Sequence, residues 1–182
     1  MHAAALPPIP LSPVGDDTSD AAASVAPRQL RAALGLFATG VTIVTALGDN
    51  GEPVGLTVNS FNSVSLDPPL VLWSLALRSS ALTAFERAER YAIHILSADQ
   101  KDIAELFARR GDDRFAAIDW APGQFGAPVI AGAAALFECR ARSRYVEGDH
   151  VILVGEVEHC TSRSGVTPLI FHGGRFYTEL PL

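Results

Sequence analysis

Residues 135–160 read Ala-Leu-Phe-Glu-Cys-Arg-Ala-Arg-Ser-Arg-Tyr-Val-Glu-Gly-Asp-His-Val-Ile-Leu-Val-Gly-Glu-Val-Glu-His-Cys. Within Ala135–Val146, Glu138, Arg140, Arg142 and Arg144 alternate with Phe137, Cys139, Ala141 and Ser143. That two-residue period belongs to a strand with one wet and one dry face. Glu147-Gly148-Asp149 supplies a tight turn, and Val151–Cys160 runs back as a second strand. Two strands joined by so short a connection can only pair antiparallel.

Upstream, Val41–Leu47 alternates and is β-branched, and Gly48-Asp49-Asn50-Gly51 offers residues that accept positive φ. The spacing predicts a return strand over Val54–Phe61, a further strand over Pro69–Leu75 after the Asp67-Pro68-Pro69 breaker, and another over Tyr91–Leu96. Three short helices are predicted. Pro27 can occupy a first turn, with Leu30, Leu34 and Phe37 sharing a face over Pro27–Phe37; Ser79 or Ser80 can cap a second, whose Leu82 and Phe85 share a face; a third covers about Asp99–Arg109, with Ile103, Leu106 and Phe107 inward. Arg110–Gly132 has no clean period and reads as an extended surface loop, a length that is usually functional. Hairpins with helices as lids predict a mainly β chain folded as a closed or nearly closed antiparallel barrel. No GxGxxG follows a strand and no GxxxxGK[ST] occurs, so neither standard phosphate loop is present.

The 182 residues suit one domain, expected over residues 28–182, with 48% apolar content sufficient for a core. Met1–Pro27 is rich in Ala and Pro, has no basic residue, and reads as a disordered tail rather than a secretory signal. Fourteen Lys+Arg against twenty Asp+Glu give a net charge of −6, which argues against a nucleic-acid surface. No stretch is long and apolar enough for a membrane helix, and the expectation is a soluble, cytoplasmic chain. Cys139 and Cys160 form no CxxC pair and have no zinc-ligand spacing; two buried thiols and no metal are expected.

The run Gly55-Leu-Thr-Val-Asn-Ser-Phe-Asn-Ser-Val-Ser-Leu-Asp-Pro-Pro69 is dense in hydroxyl and amide side chains between two apolar strands. Two readings stand. It is an edge strand ending in a turn, or a ligand cradle in which side chains and free backbone N–H groups meet a polar ring or a phosphate. Arg78-Ser79-Ser80 before a helix reads either as a cap or as an anion site. His150, after Gly148-Asp149, reads as a hairpin histidine, while His94 and His159 lie in strands and read as structural. Arg114-Phe115 and Tyr177 could meet a nucleotide, though loop Arg-Phe pairs are common.

Taken together, Phe37-Ala-Thr-Gly-Val-Thr-Ile-Val-Thr45, Gly55-Leu-Thr-Val-Asn-Ser-Phe61, Ser63-Val-Ser-Leu-Asp-Pro-Pro-Leu-Val-Leu72, Arg78-Ser-Ser80 and Gly148-Asp-His150 resemble the flavin reductase family from about Leu30 to Leu180. These are the small NAD(P)H:flavin oxidoreductases that feed two-component monooxygenases. The resemblance implies an FMN-binding split β-barrel, a homodimer, FMN or FAD with NADH or NADPH, and a separate oxygenase served by diffusible reduced flavin. It implies that Thr57, Val58, Asn59 and Ser60 line the flavin ring edge and that Ser65, Leu66, Asp67 and Pro68 run beside the ribityl chain. Arg78, Ser79 and Ser80 would hold the phosphate, and His150 would stand at the nicotinamide pocket. No protein acid or base is required, because the cofactor carries the chemistry. Two alternatives are a non-catalytic flavin- or haem-binding split barrel and a pyridoxamine phosphate oxidase-like enzyme. The second would want more converging Arg and Lys, and Lys101 is the only lysine.

Overall fold

The computed structural model describes residues 25–109, 111 and 113–178. The expected tail, up to residue 24, lies outside the described residues. Helix α1 spans Pro27–Leu34, with proline in its first turn. It is followed by the short strand β1 (Thr39–Gly40), then β2 (Thr42–Leu47), β3 (Pro53–Val58), β4 (Asn62–Leu66) and β5 (Pro69–Ala76). Helix α2 (Leu82–Arg87), β6 (Arg90–Ile95) and α3 (Lys101–Ala108) come next, and then β7 (Trp120–Pro122), β8 (Pro128–Ile130), β9 (Ala135–Glu147), β10 (His150–Ser162), β11 (Leu169–His172) and β12 (Arg175–Thr178).

Seven strands form one sheet in the order β3-β2-β6-β9-β10-β5-β4, with every neighbouring pair antiparallel. Its two edge strands, β3 and β4, are consecutive in the chain, so the sheet has to curl until its ends meet. The join is made by a side chain: Ser60 Oγ accepts from the Ser74 backbone N–H at 2.9 Å and donates to the Ser74 carbonyl at 3.2 Å. The result is a split antiparallel barrel, mostly β with a few short helices.

One core fills the barrel, where Trp73, Phe85, Tyr91, Ile93 and Leu153 are fully buried or nearly so. Trp73 packs edge-on against Phe85 and Tyr91. A second core lies outside β2, where Val41, Ile43, Leu96, Phe107, Phe115 and Leu169 are covered by α3 and the C-terminal strands. Strand β2 is therefore buried on both faces, and its Thr45 hydroxyl donates to the Pro128 carbonyl.

Several sequence expectations need correction. The return strand expected over Val54–Phe61 stops at Val58, because Asn59-Ser60-Phe61 leaves the ladder to close the barrel, and a separate strand, β4, follows at Asn62–Leu66. Neither Ser79 nor Ser80 caps α2, whose first turn has no side-chain cap; the Ser79 hydroxyl instead accepts from Ala81 N–H at 3.2 Å. The third helix begins as a 3-10 turn, Ala98–Gln100, in which Ser97 and Gln100 form a capping box. The supposed loop Arg110–Gly132 contains a 3-10 turn, Arg114–Ala117, and the β7–β8 hairpin, with Phe115 and Ile130 buried. A further hairpin, β11–β12, turns at Gly173 and Gly174, both at positive φ, and pairs with β1. Helix α1 ends at Leu34, and its apolar residues Leu30 and Leu34 stay exposed, as do Leu36 and Phe37. Of the two free cysteines only Cys139 is buried, its thiol pushed up to about 12 by desolvation; Cys160 is exposed. Among the described residues no helix is long and apolar enough to cross a membrane.

Candidate functional site

β3 is an edge strand, bonded on one side only, to β2. The Gly55 carbonyl accepts from Arg114 Nη1 at 2.9 Å, so the backbone of residue 55 points away from β2. Backbone groups two residues apart on a strand point the same way, which turns the N–H and C=O of Thr57 outward as well. The Thr57 hydroxyl is used internally, donating to the Ala104 carbonyl at 2.7 Å and fixing β3 to α3. Gly55 is required here, since a Cβ would meet the Phe107 ring at 2.9 Å and Phe115 at 3.2 Å.

Beside this edge lies a cleft of about 290 Å³. One wall is Leu56–Ser60, the other is Ser74–Ala76 of β5, and Ser79 and His150 close it. The Ser60–Ser74 contact sets the distance between these walls. His150 opposes Ala76 in the β10–β5 ladder, and its half-exposed imidazole lies with Nδ1 at 2.6 Å from Asp149 Oδ1. That hydrogen bond, then the His150 charge and more weakly Arg78, hold the Asp149 carboxyl below its usual range.

A second cleft of about 210 Å³ adjoins it, sharing Leu56, Thr57, Ala76 and Ser79 and adding Arg78, Ser80, Arg109 and Arg114. A third, apolar recess on the other flank of Thr57–Asn59 is lined by Val41, Phe171 and Phe176. Of the predicted residues, Thr57, Val58, Asn59, Ser60, Ser79 and His150 therefore share one cleft, and Arg78 and Ser80 join Ser79 in the next. Ser65, Leu66, Asp67 and Pro68 are not brought to them. They form the far end of the β4–β5 hairpin, with Leu66 exposed, roughly 17 Å along β5 from Ser74.

The other histidines behave as strand residues. His94 is fully buried, with Nδ1 at 3.0 Å from the Ile43 carbonyl and Nε2 accepting from Ile130 N–H at 3.1 Å; burial pushes it down to about 4. His159 is half-buried on β10, and the His172 ring lies 6.1 Å from that of half-exposed Tyr177. Phe115 packs edge-on against Phe107 and Trp120 inside the second core, so it is not presented for stacking. Sequence reading missed Arg109 and the apolar pair Phe171 and Phe176 as cleft residues. The Gly173-Gly174 turn could have pointed to the latter, since it folds β12 back onto β11.

The flavin reductase like domain matches residues 34–179. The chain belongs to the flavin reductase family. It is 53% identical over 149 residues to the FMN reductase (NADH) SmoA of Agrobacterium fabrum, covering 82% of this chain and 84% of that protein. It is 47% identical over 151 residues to the reductase component of the flavin-dependent trigonelline monooxygenase of Acinetobacter baylyi, covering 83% of this chain but only 48% of that protein's length. Among solved structures, the NADH:FAD oxidoreductase of Streptomyces globisporus in complex with NAD and FAD fragments superposes with a TM-score of 0.80 at 42% identity, covering 85% of this chain and 93% of that one. In this flavin reductase the donor set fits a flavin nucleotide: a free sheet edge with neutral hydroxyl and amide groups beside one cleft, and arginines with serine hydroxyls in the next.

Proposed function

We propose that this flavin reductase uses NADH to reduce FMN or FAD, which then serves a separate monooxygenase component. The observation that carries the reading is the outward edge of β3 walling the cleft that Ser60 holds against Ser74, with His150 in its lining and Arg78 in the adjoining cleft. When bound, the flavin and nicotinamide supply the redox chemistry, a hydride passing between two stacked rings. The chain's own part is to orient and to exclude water. The outward Thr57 backbone and the Asn59 amide offer neutral hydrogen bonds to the polar edge of the ring. Arg78, with the Ser79 and Ser80 hydroxyls, receives the phosphate, a planar cation being suited to its oxygens. Asp149 Oδ1 accepts from His150 Nδ1–H, which fixes the ring and leaves Nε2 for a hydrogen bond with the nicotinamide carboxamide. Ser65, Leu66, Asp67 and Pro68 have no part in this assignment.

The flavin is a diffusible substrate in this reading: its contacts are neutral hydrogen bonds and one charged phosphate site, and no cysteine or histidine is placed for covalent attachment in the cleft beyond the lining residue His150. The enzyme works as a homodimer in the cytoplasm, where NADH is supplied. The dimer is supported by apolar surface the described residues leave bare: α1 with Leu36 and Phe37, and the outer side of β9–β10, where Tyr145 is exposed beside half-buried Ile152 and Val154. The test is gel filtration of flavin-loaded protein followed by an NADH oxidation assay with and without added FMN. Activity that requires added flavin is the expected result. Colour retained by the protein, with activity needing no addition, would mean a fixed cofactor, and no NADH oxidation under any condition would mean a binding module.

A further inference from the structure

Arg114 is half-buried, and its Nη1 donates to two carbonyls, Gly55 on β3 at 2.9 Å and Phe107 at the end of α3 at 3.3 Å. Its neighbour Phe115 is anchored in the second core. The guanidinium is therefore aimed before any ligand arrives. Its other edge, Nε and Nη2, makes no hydrogen bond to the described residues. That cation lines the 210 Å³ cleft together with Arg78, Ser79, Ser80 and Arg109, and none of the described lining residues is acidic. Arg109 is partly engaged by Glu105 at 3.5 Å, and the Asp113 carboxylate is engaged as the cap of its own 3-10 turn, accepting from Ala116 N–H at 3.2 Å.

Two neutral carbonyls can hold a guanidinium but cannot offset its charge, and a half-buried charge with no counter-ion among the described residues favours the approach of an anion. We infer that Arg114 is a second cationic donor to the terminal phosphate of the flavin nucleotide, beside Arg78, and that it sets the preference for phosphorylated flavin over riboflavin. This rests on the reductase reading above. It also ties the phosphate to the ring, because the same guanidinium fixes Gly55, two residues from Thr57 on the edge that faces the ring. A purely structural Arg114 would act through β3 alone and would affect riboflavin and FMN alike.

The experiment compares Arg114→Gln and Arg114→Lys with the wild type, measuring KM for FMN and for riboflavin at saturating NADH. Glutamine retains an N–H donor for Gly55 and removes the charge, while lysine retains the charge. The expected result is that R114Q raises the ratio of KM for FMN to KM for riboflavin by about tenfold or more, the size of one lost charge-assisted hydrogen bond, and that R114K restores most of it. An unchanged ratio, whether both constants rise together or neither moves, overturns the inference. Quenching of flavin fluorescence gives the same ratio as dissociation constants without turnover. A wild type that binds FMN over riboflavin but never oxidises NADH would thus defeat the reductase reading while the affinities still decide the role of Arg114.

Discussion

His94 makes the stability of this barrel depend on pH in a window set by one ring. Its imidazole is fully buried between β2 and β8, donating from Nδ1 to Ile43 and accepting at Nε2 from Ile130, an arrangement that only the neutral ring can make. Burial lowers it to about 4, opposed in part by the bond to Ile43. In the unfolded chain a histidine titrates near 6.5. Above that value neither state binds the proton, and stability is at its full level. As pH falls from about 6.5 towards 4, the unfolded chain takes up a proton that the folded one refuses, and stability is lost; below about 4 the loss is complete. A difference of about 2.5 units corresponds to roughly 3 kcal/mol, of which about 2 kcal/mol is lost by about pH 5. The assay is urea unfolding followed by tryptophan fluorescence, for which buried Trp73 is a reporter, at about pH 7.5 and about pH 5. His94→Asn is the comparator. It can still donate to Ile43 but leaves the Ile130 N–H unpaired, a cost of about 1–3 kcal/mol at both pH values. Its stability should change by about 2 kcal/mol less than that of the wild type between them. Equal losses in the two proteins would refute the assignment of the titration to His94.

Three further outcomes are expected. His150→Ala should lower kcat/KM for NADH by an amount equal to about 1–3 kcal/mol with flavin affinity little changed, as steady-state kinetics and a flavin titration would show; unchanged kinetics would return His150 to a solvated hairpin residue. Ser60→Ala removes both bonds to the Ser74 backbone and should cost about 1–2 kcal/mol in a denaturant titration, with a raised KM for flavin as the cleft walls separate; a variant of wild-type stability would show that the join contributes nothing. Sedimentation at micromolar concentration should give twice the chain mass, and a monomer mass would leave the apolar surface of α1 and β9–β10 without the partner assigned to it.

The β9–β10 hairpin was legible because its side chains alternate without interruption and its turn is rich in polar and glycine residues, so one face could only be dry. Helix α1 shows the limit of the same logic: spacing of Leu30 and Leu34 predicts which side is apolar and says nothing of what covers it, and among the described residues nothing does. The break between β3 and β4 was hidden because Ser60 closes the barrel through a backbone partner fourteen residues away, and any residue type offers that same backbone. Arg114 was noticed for its charge, but its two carbonyl partners on β3 and α3 have no signature in composition. The residues of the first cleft were legible as a polar run between apolar strands. The distance separating Ser65–Pro68 from them was not, since sequence proximity along a hairpin does not reveal that the chain has moved a full strand length away.

The two free edges of the sheet are treated differently. An exposed strand edge invites another chain to extend the ladder, and proteins protect against such strand addition with side chains and covering elements. β3 is guarded in this way, because the Thr57 bond to α3 and the Arg114 bond to Gly55 occupy the flank along which a foreign strand would have to lie. What remains open is the outward backbone of Thr57, which offers a few hydrogen bonds rather than a ladder. β4 has no such guard among the described residues, and its Val64 and Leu66 are exposed. The edge beside the cleft thus remains available to a small molecule without being available for aggregation, so conditions that cause this protein to associate by its strands should act through β4 and leave the cleft intact.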